Sequence, residues 1–485
     1  MHASHAQERT PVYDHRKMIF VLGLFIAGAL ATHSQTPLVA SGADISALMV
    51  DPVCIVGAGP GGLTVAHELE AKGVPTVVFE KQETVGGKCQ SFYDGPNQDV
   101  YHPMGALIFT NKTWVHTLPL IRAAGLPLSP GPTPSHRMLY GAGPAASNVV
   151  PSPPMTDSQR AVISAELANY AAYWMSEFAP KYTALRYING VPEELTVPLA
   201  QWLRTKGFLA LPRIMQAAMV PYGYGDITQT PALYGLQYFN PDVLGVFLGV
   251  AQSYSVDFHK VMVDYAASVQ GPIHLGATVT TIDRSHSAPI ISYTHDNTEH
   301  IQKCSKVVLA FPPTLENLDA VGLSLSPEEH TVFSKVEVTS YWASAVSTKI
   351  PFPQSFVQTP FQPINAPVAF LRVFEESPIA TAWSWGPSHS NASIEEATEI
   401  LMQTMSDVQT GLAIESSMVQ KDDVKRITRW DYFPHFDEAA LKEGVYERYN
   451  ALQGKDNTFF TSGLDGFELV EFAIRAGKDL VGRYF

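Results

Sequence analysis

The stretch that decides the fold is VCIVGAGPGGLTVAHELEAKGVPTVVFEKQ, residues 53–82. Its first four residues are apolar, which is typical of a buried strand. After the glycines, apolar residues recur at helical spacing through residues 63–69. Gly73 provides a helix end, and a second apolar run follows at residues 77–79. The stretch therefore predicts a βαβ unit whose first strand and helix are joined by a glycine turn.

The glycine turn has the GxGxxG spacing of dinucleotide-binding loops. Gly57 permits the tight turn, Gly59 lets the backbone approach a pyrophosphate, and Gly62 allows close helix–strand packing. The free N–H groups at the start of the helix attract the pyrophosphate. Glu80 closes the second strand, where a carboxylate accepts hydrogen bonds from ribose hydroxyls and repels the extra phosphate of NADP. Together these residues predict a bound dinucleotide.

The next segment, KQETVGGKCQS at residues 81–91, indicates which dinucleotide binds. It resembles the second glycine motif of the flavin amine oxidase superfamily, ExxxxxGGRxxS, which contacts FAD. Lys88 stands where that motif has arginine, and Gln82 stands where another arginine is common. The resemblance implies FAD contacts from Gly86, Gly87 and Lys88, with a cation at one of the two usual positions.

Two later segments resemble the strands that return to the FAD domain in the same superfamily. They are GATVTTIDR at residues 276–284 and KVVLAFPP at residues 306–313. In related proteins the backbone of the residue matching Val279 meets the adenine. The resemblance therefore implies a cofactor contact at Val279.

The last segment, FFTSGLDGFELVEFAIRAGKDLVGRYF at residues 459–485, resembles the closing FAD motif of the superfamily. Gly463 matches the glycine of that motif, whereas Leu464 stands where an acid is usual. The start of the last helix, at about residues 467–471, is expected to face the flavin with its free N–H groups. Val470 is therefore a further expected cofactor contact.

The motifs predict an α/β protein with a Rossmann-like FAD-binding domain of the glutathione-reductase and amine-oxidase type. A second, α+β domain for the substrate is expected to form from two insertions. We assign residues 50–110, 255–312 and 455–485 to the FAD-binding domain, and residues 111–254 and 313–454 to the substrate domain.

Most of the chain resembles the β-cyclopiazonate dehydrogenase family of fungal FAD oxidoreductases. The resemblance is carried by YHPMGALIF (residues 101–109), RWDYFPHF (residues 429–436) and LVEFAIRAG (residues 469–477), beside the glycine motifs. It implies FAD contacts from Gly105 and Ala106. It also implies secondary-metabolite chemistry, in which a hydride leaves a bulky terpenoid, alkaloid or other polycyclic substrate and ring closure traps the resulting cation.

Aromatic residues of the two insertions suggest an apolar substrate pocket, although most aromatic side chains belong to protein cores. They cluster in VPYGYGD, WSW and RWDYFPHF. His435, His102 and Tyr432 are the candidate proton acceptors, because imidazole and phenol groups serve in general acid–base catalysis. A structural role is the alternative for each of these three residues.

Three other functions remain open. The first is amine oxidation. Flavin amine oxidases commonly carry a lysine near the flavin on a strand after the PP motif, but residues 336–348 contain none. The last cysteine is Cys304, so the cysteinyl-flavin bond of some monoamine oxidases is not expected and FAD is predicted to be noncovalent. A redox-neutral double-bond isomerase and a non-enzymatic flavin carrier are the remaining alternatives.

The net charge and the cysteine spacing argue against nucleic-acid binding and against a zinc site or a disulfide scaffold. The 485 residues carry a net charge of -14, and a surface of this sign disfavours nucleic-acid binding. The three cysteines, Cys54, Cys89 and Cys304, have no CxxC spacing, which argues against a zinc site or a disulfide scaffold. Cys54 and Cys304 lie in apolar runs and are expected to be buried, inert thiols.

The N-terminal region resembles a secretory signal. Two basic residues precede the apolar run at residues 18–31, which ends in small residues and is shorter than the roughly 20 residues of a membrane span. Residues 1–40 are therefore interpreted as a signal and tether, with a signal anchor as the alternative. The sequons at Asn111 and Asn391 predict N-glycosylation in the secretory pathway. We expect no stable membrane span.

Overall fold

The strands of the computed structural model form two large sheets and several small ones. The structure describes residues 50–132, 136–387, 390–416 and 418–485, so the signal and tether prediction lies outside it. The strands are β1 (Val53–Val56), β2 (Thr76–Phe79), β3 (Ser91–Asp94), β4 (Val100–Pro103), β5 (Ser129–Pro130), β6 (His136–Tyr140), β7 (Val150–Pro151), β8 (Tyr254–Ser255), β9 (Ile273–His274), β10 (Thr278–Asp283), β11 (Ile290–His295), β12 (Thr298–Lys303), β13 (Lys306–Leu309), β14 (Val336–Ser347), β15 (Gln354–Gln358), β16 (Ala366–Arg372), β17 (Ile379–Gly386), β18 (Val424–Phe436) and β19 (Thr458–Phe460).

Several of the described helices begin at capping signals that are visible in the sequence. Capping boxes begin α12 at Ser326 and α13 at Ser393, because each serine lies three residues before a glutamate. The helices are α1 (Pro60–Ala71), α2 (Thr117–Ala123), α3 (Asp157–Tyr173), α4 (Ala179–Tyr182), α5 (Glu193–Thr196), α6 (Leu199–Thr205), α7 (Leu211–Met219), α8 (Ala232–Tyr238), α9 (Pro241–Phe247), α10 (Phe258–Ala267), α11 (Leu315–Ala320), α12 (Pro327–Phe333), α13 (Ile394–Gly411), α14 (Glu438–Lys442), α15 (Val445–Leu452) and α16 (Val470–Tyr484).

The first large sheet is parallel and has the strand order β19-β13-β1-β2-β9. Strands β1 and β2 come from the predicted βαβ unit, β13 from the returning segment at residues 306–313, and β19 from the start of the closing motif. The other returning segment, at residues 276–284, forms β10 of a separate three-stranded sheet, and β9 lies just before it. Helices α1 and α16 pack on this sheet, with Leu63, Leu69, Ile474 and Leu480 in one buried cluster. The carboxyl ends of the parallel strands meet at one edge, which is where open α/β sheets bind ligands.

The second large sheet contains seven strands in the order β18-β14-β17-β16-β15-β6-β7. It joins strands from both predicted insertions, since β6 and β7 precede α3 whereas β14 to β18 follow α12. The two longest strands, β14 and β18, pair in antiparallel register with Tyr341 opposite Trp430. The α/β fold class, with a Rossmann-like domain beside an α+β part, is confirmed.

The cysteine prediction was wrong for one pair. Cys54 and Cys304 form a disulfide with Cα atoms 5.6 Å apart. Cys54 lies on β1 and Cys304 lies two residues before β13, and these strands are neighbours in the parallel sheet. Sequence spacing gave no sign of the bond, because 250 residues separate the two cysteines. Cys89 remains a free buried thiol, and burial raises its pKa to about 12.

Within residues 50–132, 136–387, 390–416 and 418–485, every helix is too short or too polar to cross a membrane.

Candidate active site

One large cavity, of about 910 Å³, opens at the carboxyl edge of the parallel sheet. It collects residues from the glycine turn, the second glycine motif, β10 and the closing motif, although these segments are far apart in sequence. Most of the predicted cofactor residues line it, namely Gly57, Gly59, Glu80, Gly87, Lys88, Gly105, Ala106, Val279, Gly463 and Val470.

Two predicted cofactor residues, Gly62 and Gly86, do not belong to the cavity wall and instead shape the loops behind it. A Cβ atom on Gly62 would lie 2.0 Å from the carbonyl oxygen of Gly57, so α1 approaches the turn too closely for a side chain. Gly86 has φ +105° and donates its backbone N–H to the carbonyl oxygen of Ala58 at 2.9 Å. Both glycines therefore act on the cofactor loops through packing and backbone conformation.

The backbone between the two glycine motifs fits a pyrophosphate. Helix α1 begins after Gly59 with a proline in its first turn, and no side chain in the described part of the chain caps its N–H groups. A Cβ atom on Gly87 would lie 3.1 Å from the Cα atom of Gly59, so the two motifs approach each other backbone to backbone. Uncapped N–H groups and bare backbone provide the site that a phosphate requires.

Glu80 is buried at the end of β2 and is already partly satisfied by the turn. Its carboxylate accepts the backbone N–H of Ala58 at 2.8 Å and that of Gln82 at 2.9 Å. A carboxylate has about four acceptor positions, so two remain for ribose hydroxyls. Glu80 thus fixes the turn and keeps the capacity predicted for it.

The closing motif differs from the superfamily pattern in the position of its acidic residue, which is Asp465 instead of the residue at position 464. Leu464 is fully buried in the apolar core, and the neighbouring acid, Asp465, is buried outside the cavity wall. Gly463 and Val470 line the cavity, and α16 begins at Val470 without a side-chain cap. The start of α16 therefore presents the positive end of the helix dipole to the cavity, as predicted.

Aromatic side chains from β18 and from residues 222–224 line another part of the cavity, which we call the aromatic chamber. Tyr432 stacks on Tyr341 with ring centroids 4.8 Å apart and donates a hydrogen bond to the Tyr224 hydroxyl at 3.2 Å. Trp430 also lines this chamber, and its buried indole N–H has no hydrogen-bond partner among the described residues. These residues, with Tyr222, leave an apolar space beside the cofactor part of the cavity.

The structure separates the three candidate proton acceptors. Tyr432 lines the cavity, but burial raises its pKa, so its hydroxyl remains a neutral hydrogen-bond donor. His435 lies outside the wall, stacked on Phe433 with ring centroids 4.5 Å apart. His102 is also outside it, with Nε2 2.9 Å from Asp94. His435 and His102 lie close in sequence to predicted cofactor segments, but neither imidazole lines the cavity.

An ion pair that was not predicted from the sequence joins the second glycine motif to the closing motif. The Lys88 ammonium is 3.0 Å from Oε2 of Glu468, and both side chains line the cavity while being about four-fifths buried. Oε2 is fully shielded from solvent and receives no aligned hydrogen bond from the described residues. The Lys88 ammonium also lies 5.3 Å from the centre of the Tyr432 ring. Glu468 therefore offers a buried acceptor at the junction of the cofactor and aromatic parts.

Comparisons with known proteins agree with this geometry. The sequence profile of the family described as flavin containing amine oxidoreductase matches residues 60–478. The FAD-dependent oxidoreductase dpchF of Colletotrichum higginsianum is 24% identical over 434 residues, which cover 85% of this chain and 88% of that protein. The β-cyclopiazonate dehydrogenase of Aspergillus flavus is 22% identical over 446 residues, which cover 87% and 90%.

A solved structure has the same fold over nearly the whole chain. The CLA-producing fatty acid isomerase from P. acnes matches with a TM-score of 0.75 and 22% identity, over 90% of this chain and 99% of that one. The family profile extends from the first turn of α1 into α16; it begins just after Gly57 and Gly59 and includes the second glycine motif and the aromatic residues of the cavity wall. FAD is the cofactor, and the chain belongs to the flavin-containing amine oxidoreductase family.

Proposed function

We propose that this protein is an FAD-dependent dehydrogenase that removes a hydride from a bulky, apolar substrate of secondary metabolism, as in the β-cyclopiazonate dehydrogenase family. The observation that carries the proposal is the aromatic chamber formed by Tyr222, Tyr224, Trp430 and Tyr432 beside the cofactor residues. Its stacked rings suit a polycyclic terpenoid or alkaloid. In this proposal the sheet from β14 to β18 and the helices of the two insertions form the substrate domain.

Bound FAD supplies the oxidant, because it accepts a hydride from the substrate carbon. The aromatic side chains hold the substrate in place and exclude water. Glu468 takes the proton from the neighbouring atom of the substrate as a double bond forms, so hydride and proton leave to different acceptors. The Lys88 ammonium and the uncapped start of α16 would supply positive charge to the part of the cavity that holds FAD.

The relatives of this chain support one alternative reaction and one extension of the proposed reaction. The fold similarity to a fatty acid isomerase favours redox-neutral movement of a double bond as the second candidate. Ring closure after hydride removal is the extension implied by the β-cyclopiazonate dehydrogenase resemblance. Amine oxidation is less favoured, because β14 contributes no lysine from residues 336–347.

Anaerobic mixing with candidate substrates tests the proposal. Dehydrogenation predicts that an apolar polycyclic compound bleaches the visible flavin bands in the absence of oxygen and yields a product two hydrogens poorer. Product formation without lasting bleaching identifies isomerisation instead. Bleaching by simple primary amines alone would make the protein an amine oxidase, and a flavin that no compound reduces would favour a carrier.

We also propose that the protein resides in the secretory pathway. A disulfide persists most readily in an oxidising compartment, and both sequon residues, Asn111 and Asn391, are exposed. In this environment one or both asparagines carry glycans. Glycosidase treatment of protein from a fungal host should lower its intact mass, and an unmodified mass with free thiols at Cys54 and Cys304 would contradict the proposal.

A further inference from the structure

Arg186 does not line the cavity, but its side chain contacts the loop that forms part of the cavity wall. The side chain is fully buried, and its guanidinium lies 3.9 Å from Asp465 and pairs with Asp479 of α16. Asp465 is itself fully buried and is two residues after Gly463, which lines the cavity. The first insertion thus places a cation against the closing FAD motif.

Asp465 transmits this contact to the cavity wall. Its carboxylate accepts the backbone N–H of Ser462 at 3.0 Å and the hydroxyl of Tyr449 at 3.1 Å. Ser462 is itself part of the wall. Burial raises the pKa of the Asp465 carboxyl, and the charge of Arg186 opposes that rise. The orientation of the Ser462–Gly463 turn therefore depends on a charge pair that lies behind it.

The backbone at Arg186 is held in a costly conformation. Arg186 has φ +54° and Tyr187 has φ +46°, so two consecutive residues with side chains adopt the left-handed region. Tyr187 uses this conformation to donate its hydroxyl to the carbonyl oxygen of Gly466 at 2.7 Å. Asn450 in turn donates its side-chain N–H to the carbonyl oxygen of Arg186 at 3.0 Å. Both left-handed residues hold the same closing loop.

We propose that Arg186 is a positioning residue for FAD: its pairing with Asp465 holds the Ser462–Gly463 turn in the geometry that binds the cofactor. The insertion that carries the substrate chamber is thereby coupled to cofactor affinity. Among the described residues, the Nε and Nη1 donors of Arg186 make no hydrogen bond, so its contact with Asp465 is a charge interaction at 3.9 Å rather than a hydrogen-bonded pair.

The test compares Arg186→Met with Arg284→Met by fluorescence titration of the FAD-free full chain with FAD. Arg284 is the control, since its side chain is also largely buried and pairs with Glu329 at 2.6 Å, while neither residue lines the cavity. We expect Arg186→Met to raise the Kd for FAD about 10- to 100-fold, because Asp465 is left as an unpaired buried charge. Arg284→Met should lower the Tm without changing the Kd.

The double variant Arg186→Met/Asp465→Asn removes both charges and guards against a single variant that fails to fold. It should bind FAD more tightly than Arg186→Met and more weakly than the wild type. The proposal is overturned if Arg186→Met lowers the Tm but leaves the Kd for FAD unchanged. It is also overturned if the double variant binds FAD as tightly as the wild type.

Discussion

Replacing Gly62 by alanine is expected to weaken FAD binding by about 100-fold or more. The new Cβ atom would lie 2.0 Å from the Gly57 carbonyl oxygen and 3.1 Å from the Cβ atom of Ala310. Neither neighbour has a flexible end that could turn away, because Gly57 follows β1 and the N–H of Ala310 is bonded to the Val56 carbonyl at 2.9 Å. Overpacking costs about 1–3 kcal/mol even where side chains can adjust, and each 1.4 kcal/mol is about tenfold in affinity.

The control for this substitution is Gly482→Ala on α16. A Cβ atom there meets no heavy atom within 4 Å, and the residue is exposed in a helix. Alanine should raise stability by about 0.5–1 kcal/mol and leave the Kd for FAD unchanged. Titration of both FAD-free variants with FAD gives the comparison. If Gly62→Ala binds FAD as tightly as Gly482→Ala, the proposed role of Gly62 in shaping the turn is wrong.

Glu468→Gln is expected to slow reduction of the flavin by substrate about 10²- to 10⁴-fold, the range of general base catalysis. Glutamine keeps the size of the side chain but cannot accept a proton at the buried Oε2 position. The Glu468 carboxylate does not belong to the backbone site that fits the pyrophosphate. The fraction of protein that carries FAD should therefore remain near that of the wild type. Stopped-flow absorbance under anaerobic conditions, with the compound that bleaches the wild-type flavin, measures the effect.

Glu316→Gln provides a matched control for this carboxylate. Glu316 also lines the cavity, on α11, but it is exposed and distant in sequence from the closing motif. Its substitution should leave the rate of flavin reduction unchanged. Dithionite should reduce both variants, which shows that the cofactor itself is intact. Equal rates for Glu468→Gln and the wild type would remove Glu468 from the proposed mechanism.

The local parts of the fold were predictable from sequence because their physical causes are local. The strand of residues 53–56, the uncapped start of α1 and the acid at Glu80 follow from apolar spacing and glycine positions within one βαβ unit. The resemblance then identified the remaining cofactor segments in their order. Most of the predicted cofactor residues accordingly meet in one cavity.

The parts that sequence alone does not locate depend on tertiary proximity, which one sequence does not reveal. His435 and His102 are chemically suited to proton transfer, but burial behind the wall and bonds to Phe433 and Asp94 remove them from the chamber. Lys88 and Glu468 belong to motifs at opposite ends of the chain and meet only because both border the cavity.

Noncovalent FAD binding in the cavity is tested most directly by the visible absorption spectrum of the chain from residue 50 or slightly earlier, recorded before and after acid precipitation. Flavin bands are expected in the folded protein and should move to the supernatant, because the cavity holds FAD by hydrogen bonds and packing. A folded but colourless protein would contradict FAD binding in this cavity. Flavin that stays with the precipitate would contradict noncovalent attachment.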